Sequence, residues 1–251
     1  MIKHLLARLI GGFLLAAGLG GCAVYRPMQC AAPALYDKGQ VEVASSAYFN
    51  SRLHGAVNYS PVRHLLVRAA IDGKGDSRDS AYARIWQYEL AAGTYWPLGE
   101  QVVLGALAGG GQAHSQVRYS PIENSSFIQY QYDAHYNKLF GELYGTWQIG
   151  PALQLGAAYR LTQVRFISLT NLGQPLSLTA MLRGEPMFFL RSTFGFRPGG
   201  ERLAYVQAGI GGSALLRAWP GQVGGPESSL LDSNTYFTLG LGFFPSALWR
   251  H

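Results

Sequence analysis

Hydrophobicity alternates with a period of two residues along most of this chain, from about residue 40 almost to the C-terminus. That period matches the pleat of a β-strand, whose successive side chains point to opposite faces, and does not fit the 3.6-residue repeat of a helix. In one stretch Leu153, Leu155, Ala157, Tyr159 and Leu161 share a face, opposite Gln154, Gly156, Ala158, Arg160 and Thr162. Likewise Leu139, Leu143, Trp147 and Ile149 oppose Lys138, Glu142, Thr146 and Gln148, while Phe188, Leu190, Phe194 and Phe196 oppose Arg191, Thr193 and Arg197. Followed throughout, the pattern predicts about ten strands, with eight or twelve also compatible, near residues 40–50, 53–61, 64–74, 81–96, 100–119, 130–149, 152–170, 186–197, 201–217 and 234–244.

The connections differ in length in a regular way. Short turns at Pro61-Val62-Arg63, Pro97-Leu98-Gly99, Gly150-Pro151 and Pro198-Gly199-Gly200 carry the Pro and Gly that tight turns require. Longer, more polar links at 73–80, 120–129, 170–185 and 219–233 fall between them. Short turns at one end and long loops at the other are the pattern of transmembrane barrels. Only 14% of the residues are charged, against about 25% in an ordinary soluble domain, so fewer positions are meant for water. Tyr59, Trp86, Tyr95, Trp96, Tyr119, Trp147 and Tyr159 fall near strand ends, as in interfacial aromatic girdles. The fold class expected is therefore all-β: a single antiparallel, up-and-down transmembrane β-barrel with short periplasmic turns and longer extracellular loops. A soluble, lipocalin-like binding barrel tethered in the periplasm would show the same alternation with inside and outside exchanged.

The N-terminus has the three parts of a secretory signal: Lys3, His4 and Arg8, an apolar run from Leu9 to Leu19, then Gly20, Gly21 and Cys22. The run is shorter than the roughly 20 residues a membrane-spanning helix needs. The tetrad Leu19-Gly20-Gly21-Cys22 resembles the lipobox of bacterial lipoproteins. That resemblance implies cleavage after residue 21, a diacylglycerol on the Cys22 thiol and membrane lipid as a partner. The remaining thiol, Cys30, then has no partner for an internal disulfide. Residues 22–38 read as a tether rich in Ala and Pro, residues 39–245 as the barrel and 246–251 as a tail. Ala23 stands where an Asp would resemble an inner-membrane retention signal, which favours the outer membrane of a Gram-negative bacterium. A lipid on the periplasmic side followed by an upward first strand would put every short turn in the periplasm.

Across residues 39–245 the chain resembles the small outer-membrane β-barrel superfamily. Its segment Tyr236-Phe237-Thr238-Leu239-Gly240-Leu241-Gly242-Phe243-Phe244 resembles the terminal-strand signal read by the barrel assembly machinery, which that resemblance makes a partner. The family usually closes its chains on an aromatic residue; here Pro245 to His251 follow.

On the face assigned to the lumen, Glu42, Glu89 and Glu142 accompany Arg68, Lys138, Arg160, Arg191 and Arg197. In a barrel of this size side chains largely fill the interior, so these charges are expected to pair as a plug rather than to line a wide channel. Asp133 and His135 share a face near the outer end of a strand, a spacing in which a carboxylate can orient a histidine as general base. The spacing is similar to one half of the omptin outer-membrane proteases, but Asp76 and Asp79 are wrongly spaced to be the other half. His54, His64, His114 and His251 are dispersed in sequence, so no metal site and no cofactor is expected. Positive charge is scattered without a basic run, which argues against nucleic acid as a partner. The chain thus reads as non-enzymatic, with a structural or interaction role in the cell envelope.

Overall fold

A computed structural model describes residues 24–75, 81–120, 122–123, 126–127, 129–196, 202–220 and 230–248. Ten long strands make one antiparallel sheet closed on itself: β1 (Val41–Tyr48), β2 (Leu53–Tyr59), β3 (Leu66–Lys74), β4 (Tyr82–Leu98), β5 (Val102–Tyr119), β6 (Tyr130–Gln148), β7 (Leu153–Asn171), β8 (Ala180–Phe196), β9 (Arg202–Trp219) and β10 (Asn234–Phe243). Each strand pairs with its neighbours in chain order, and β10 returns to pair with β1, Val43 opposite Phe243 and Tyr48 opposite Thr238. The expected all-β antiparallel barrel is the observed fold.

The main departure among the strands is β8, which begins at Ala180 rather than near residue 186. Its inward row runs Met181, Arg183, Glu185, Met187 and Phe189, all buried. Because that row mixes polar with apolar side chains, hydropathy loses its alternation where the geometry keeps it. A register shift at Leu182/Arg183 and the N–H-less Pro186 disguise the strand further.

The two faces settle which side is out. Leu143 is 66% and Leu155 41% exposed on the outer surface, whereas Glu142, Gln154 and Arg160 beside them are no more than 2% exposed. A soluble binding barrel would have the reverse arrangement, so the lipocalin-like alternative is overturned. Trp96 and Trp147 stand on the outer face near the short turns, and the apolar belt continues upward through Leu143, Leu139 and Leu161. It ends at a register-matched row of outward polar residues, Gln112 opposite Asn137 and Asn137 opposite Arg165. This is a membrane-spanning barrel, polar inside and apolar outside. Tyr95, placed in the aromatic girdle by its position near a strand end, instead points inward, fully buried, with its hydroxyl 2.7 Å from Ser60 Oγ.

Strand lengths are uneven. β1, β2, β3 and β10 have 8, 7, 9 and 10 residues, whereas β4 to β9 have 17 to 19. The long strands β4 to β7 therefore continue past the top of the apolar belt and raise one side of the barrel as a wall.

Inside, large aromatic rings lie on paired glycines. A Cβ on Gly156 would come within 2.0 Å of the Phe189 ring opposite it, and one on Gly242 within 2.0 Å of the Tyr205 ring. Those glycines make room for rings that otherwise could not fit so narrow a lumen.

The segment expected to be an external tether is, over its described residues, the filling of the barrel. Val24, Tyr25, Met28, Cys30, Ala32, Ala34 and Leu35 are each no more than 5% exposed. Leu35 packs with Leu66, Tyr95 and Val103 by the short turns, and Ala34 with Phe244 and Ala247. At the other end Val24 and Tyr25 pack with Tyr132, Leu169 and, from the long links, Leu178 and Leu230. The chain thus descends from the long-link mouth to the short turns, where the Gly39 N–H donates to the Ser60 carbonyl before β1 climbs back. The N-terminal end of this strap lies at the mouth opposite to the one expected.

Substituting an arginine for Leu143, mid-belt, should cost about 2–4 kcal/mol in denaturant titrations of the barrel in lipid vesicles. Ile167→Arg, on the outer face above the polar row, should cost less than about 1 kcal/mol by the same measurement.

Candidate functional site

The strap has no strand or helix between Val24 and Tyr36, so its backbone groups need partners from elsewhere. The barrel wall supplies them with charged and amide side chains. Arg52 Nη2 donates to the Pro27 carbonyl at 2.7 Å, and Arg191 Nη2 to the Ala32 carbonyl at 3.0 Å. The Ala31 N–H donates to Glu142 Oε1 at 2.7 Å, and the Ala34 N–H to Glu42 Oε2 at 3.1 Å. Gln87 Nε2 donates to the Arg26 carbonyl at 3.2 Å. At the upper end the Tyr25 hydroxyl donates to Glu185, whose other oxygen accepts from Thr162 Oγ1 at 3.0 Å.

The same groups are bound to one another across the lumen. Lys138 Nζ lies 2.6 Å from Glu89 Oε1 and 2.8 Å from Gln87 Oε1. Arg160 bridges Glu89 at 3.0 Å and Glu142 at 2.7 Å, joining β4, β6 and β7. Nearer the short turns, Glu42 accepts from Asn58, which accepts from Arg68 at 3.0 Å, and from the Tyr205 hydroxyl. Arg191 spans Gln154 and Gln207, so its plane ties β7, β8 and β9 to the strap.

The structure thus places Glu42, Arg68, Glu89, Lys138, Glu142, Arg160 and Arg191 on the luminal face, all at most 5% exposed. Arg197 lies outside the described residues, as do Cys22, Asp76 and Asp79. Sequence inspection passed over Arg52, Asp72, Arg183 and Glu185, which share in the same packing. Arg52 lies 3.4 Å from Asp72, and Arg183 donates to Ser213 Oγ at 2.7 Å and to the Asp232 carbonyl. Asp72 was findable, because it alternates in phase with Arg68. Arg52 sits in a turn and Arg183 in the stretch assigned to a loop, where no phase could be read.

Asp133 and His135 do share a face, on the outer side of the wall above the apolar belt. Strand register adds a residue that sequence spacing hid: His114 on β5 stands directly opposite His135 on β6. Their rings stack at 3.8 Å between centroids, and His114 Nε2 lies 3.0 Å from Asp133 Oδ1. Of the histidines expected to be dispersed, His114 is thus paired, and one ligand atom from each of His114, Asp133 and His135 falls within 4.8 Å of the others. Such a set can share a proton or meet a divalent ion. Its side chains are 40%, 42% and 50% exposed for His114, Asp133 and His135.

No protein-family model matches the chain. No curated protein matches it either. Among solved structures it is similar to the translocator domain of autotransporter NalP from Neisseria meningitidis, at 12% identity and a TM-score of 0.46, covering 96% of each chain. It is also similar to the N-terminal β-barrel domain of Pseudomonas aeruginosa OprF, at 12% identity and a TM-score of 0.31, over 83% of this chain and 99% of that one. A third is a Pseudomonas aeruginosa FadL homologue, at 9% identity and a TM-score of 0.31, over 81% of this chain and 89% of that one.

Glu89 touches two cations, so Glu89→Ala should destabilise the barrel by about 3–5 kcal/mol, the usual cost of stranding a buried charge. Adding Lys138→Met should recover part of that loss, giving a double-mutant-cycle coupling above about 1 kcal/mol in denaturant titrations. The Cys30 thiol, 2% exposed, should resist maleimide in the folded barrel and react after thermal unfolding, read by mass spectrometry.

Proposed function

We propose that this chain is a lipid-anchored outer-membrane β-barrel of the Gram-negative envelope, acting through position and contact rather than through conduction or catalysis. The observation that carries this reading is the filled lumen. Charges from seven luminal positions are buried in the interior, and Glu42, Glu142 and Arg191 among them hydrogen-bond the backbone of the strap, which commits the interior to holding the chain together. A barrel of ten strands is in any case narrow for a solute channel.

The apolar belt supports membrane insertion, and loop asymmetry supports short turns in the periplasm with long links outside. The lipobox supports acylation of Cys22, and the aromatic β10 segment supports recognition by the barrel assembly machinery. An interaction role is supported by the raised wall. Its outer face carries Arg84 and Arg118 against the Tyr82 ring, at 5.4 and 5.1 Å. Arginines and aromatics on the outer side of a rigid sheet are among the residue types favoured where proteins meet.

The purified protein should migrate faster on gels when unboiled, and should pass no steady current in planar bilayers. The Cys22→Ser variant should still need detergent. A variant soluble without detergent would sink the membrane reading, and a stable ohmic conductance would sink the non-conducting one.

A further inference from the structure

We infer that the mature N-terminus is threaded through its own barrel, so that an acyl anchor on Cys22 enters the membrane leaflet on the long-link side, opposite the short turns and β10's end. The threading rests on the strap alone; the anchor rests on the lipoprotein reading of the proposed function.

The direction of the strap is fixed at both ends. Leu35 belongs to the apolar cluster that holds Leu66 and Tyr95 by the short turns. Val24 belongs to the one that holds Leu178 and Leu230 of the long links. Contacts in between follow in order, Ala34 to Glu42, Ala31 to Glu142 and Pro27 to Arg52. The strap has no helix or strand, and twelve residues can reach at most about 40 Å, enough to cross the roughly 25 Å of an outer-membrane apolar band.

Cys22 precedes Val24 by two residues, a reach of at most about 7 Å. From the long-link mouth that reach is too short to return across the belt to the leaflet at the short turns. A diacylglycerol on Cys22 is therefore held to the long-link side of the belt. An anchor there holds one end of the strap while the peptide link into β1 holds the other. The filling then cannot slip out of the lumen. An acylated end is also too bulky to pass a closed, occupied barrel, so the sheet closes at the β1–β10 seam around a strap already in place.

The test uses the full-length chain with a short epitope inserted between Ala23 and Val24. Intact cells are probed with antibody, permeabilised cells serve as the reference, and the N-terminal peptide is weighed by mass spectrometry. Surface staining of intact cells with an acylated peptide is the expected result. An acylated peptide stained only after permeabilisation overturns the threading and leaves the lipoprotein reading standing. Surface staining without acylation removes the anchor and leaves the threading. Should the epitope block folding, a photo-crosslinking residue at Val24 in the otherwise native chain gives a second readout. Adducts on peptides carrying Leu178 or Leu230 are expected, and adducts on the short-turn peptides near residues 61 or 99 overturn the proposal.

Discussion

A barrel whose outside must be apolar has to keep its charges inside, and a narrow interior surrounded by lipid has little water with which to solvate them. Much of the rest of the structure depends on that requirement. Arg52, Arg68, Lys138, Arg160, Arg183 and Arg191 are buried in company with Glu42, Asp72, Glu89, Glu142 and Glu185. All but Arg52, which sits in a turn, are placed by the parity of their strands, and neighbouring strands bring opposite charges to the same level: Glu142 stands opposite Arg160 in the β6–β7 register. Removal of one partner would leave another charge buried with nothing equivalent to replace it.

Ion pairing alone does not satisfy the lumen, because a guanidinium has five N–H donors and a carboxylate several acceptor positions. An irregular peptide has the complementary problem, with carbonyls and N–H groups that form no ladder. The strap and the wall solve each other's difficulty. Arg191 gives two N–H groups to Gln207, one to Gln154 and one to the Ala32 carbonyl; Glu142 takes Arg160 on one oxygen and the Ala31 N–H on the other. Small side chains at Ala31, Ala32 and Ala34 let the strap backbone come this close. The Ala and Pro content that marks the segment in sequence as a tether is, in the fold, what allows it to fill a narrow lumen without a helix.

The barrel was legible in the sequence because its outer surface is uniform. Leu139, Leu143 and Trp147 keep strict alternation, and the short turns carry Pro and Gly. The inner surface is not uniform, and where it mixes types, as with Met181, Arg183 and Glu185 in β8, the phase of the strand is lost. Luminal charges such as Glu89 and Arg160 could be assigned from parity with their apolar neighbours, and Asp72 could have been. Two things could not be read. One is the cross-strand meeting of His114 with His135, set by register between segments far apart in number. The other is the course of residues 24–36, since an irregular segment rich in Ala and Pro has the same composition whether it lies in water or inside a barrel.

That last ambiguity bears on what an acyl group would be for. A closed sheet with an apolar belt is held in the bilayer by its own surface, so a lipid adds little to retention. Its value has to lie in something the belt cannot do. The strap is held laterally by hydrogen bonds from many strands, yet nothing covalent fixes its N-terminal end among the described residues. A charged lumen whose filling withdrew would expose Glu42, Glu142, Arg160 and Arg191 without the groups that now satisfy them. An end fastened in the leaflet by the long links removes that route to failure, because withdrawal would require an acyl chain to leave the membrane and pass through a polar interior. With the proposed acyl group on Cys22, the lipid would secure the plug, and the plug in turn keeps the charges of the barrel matched.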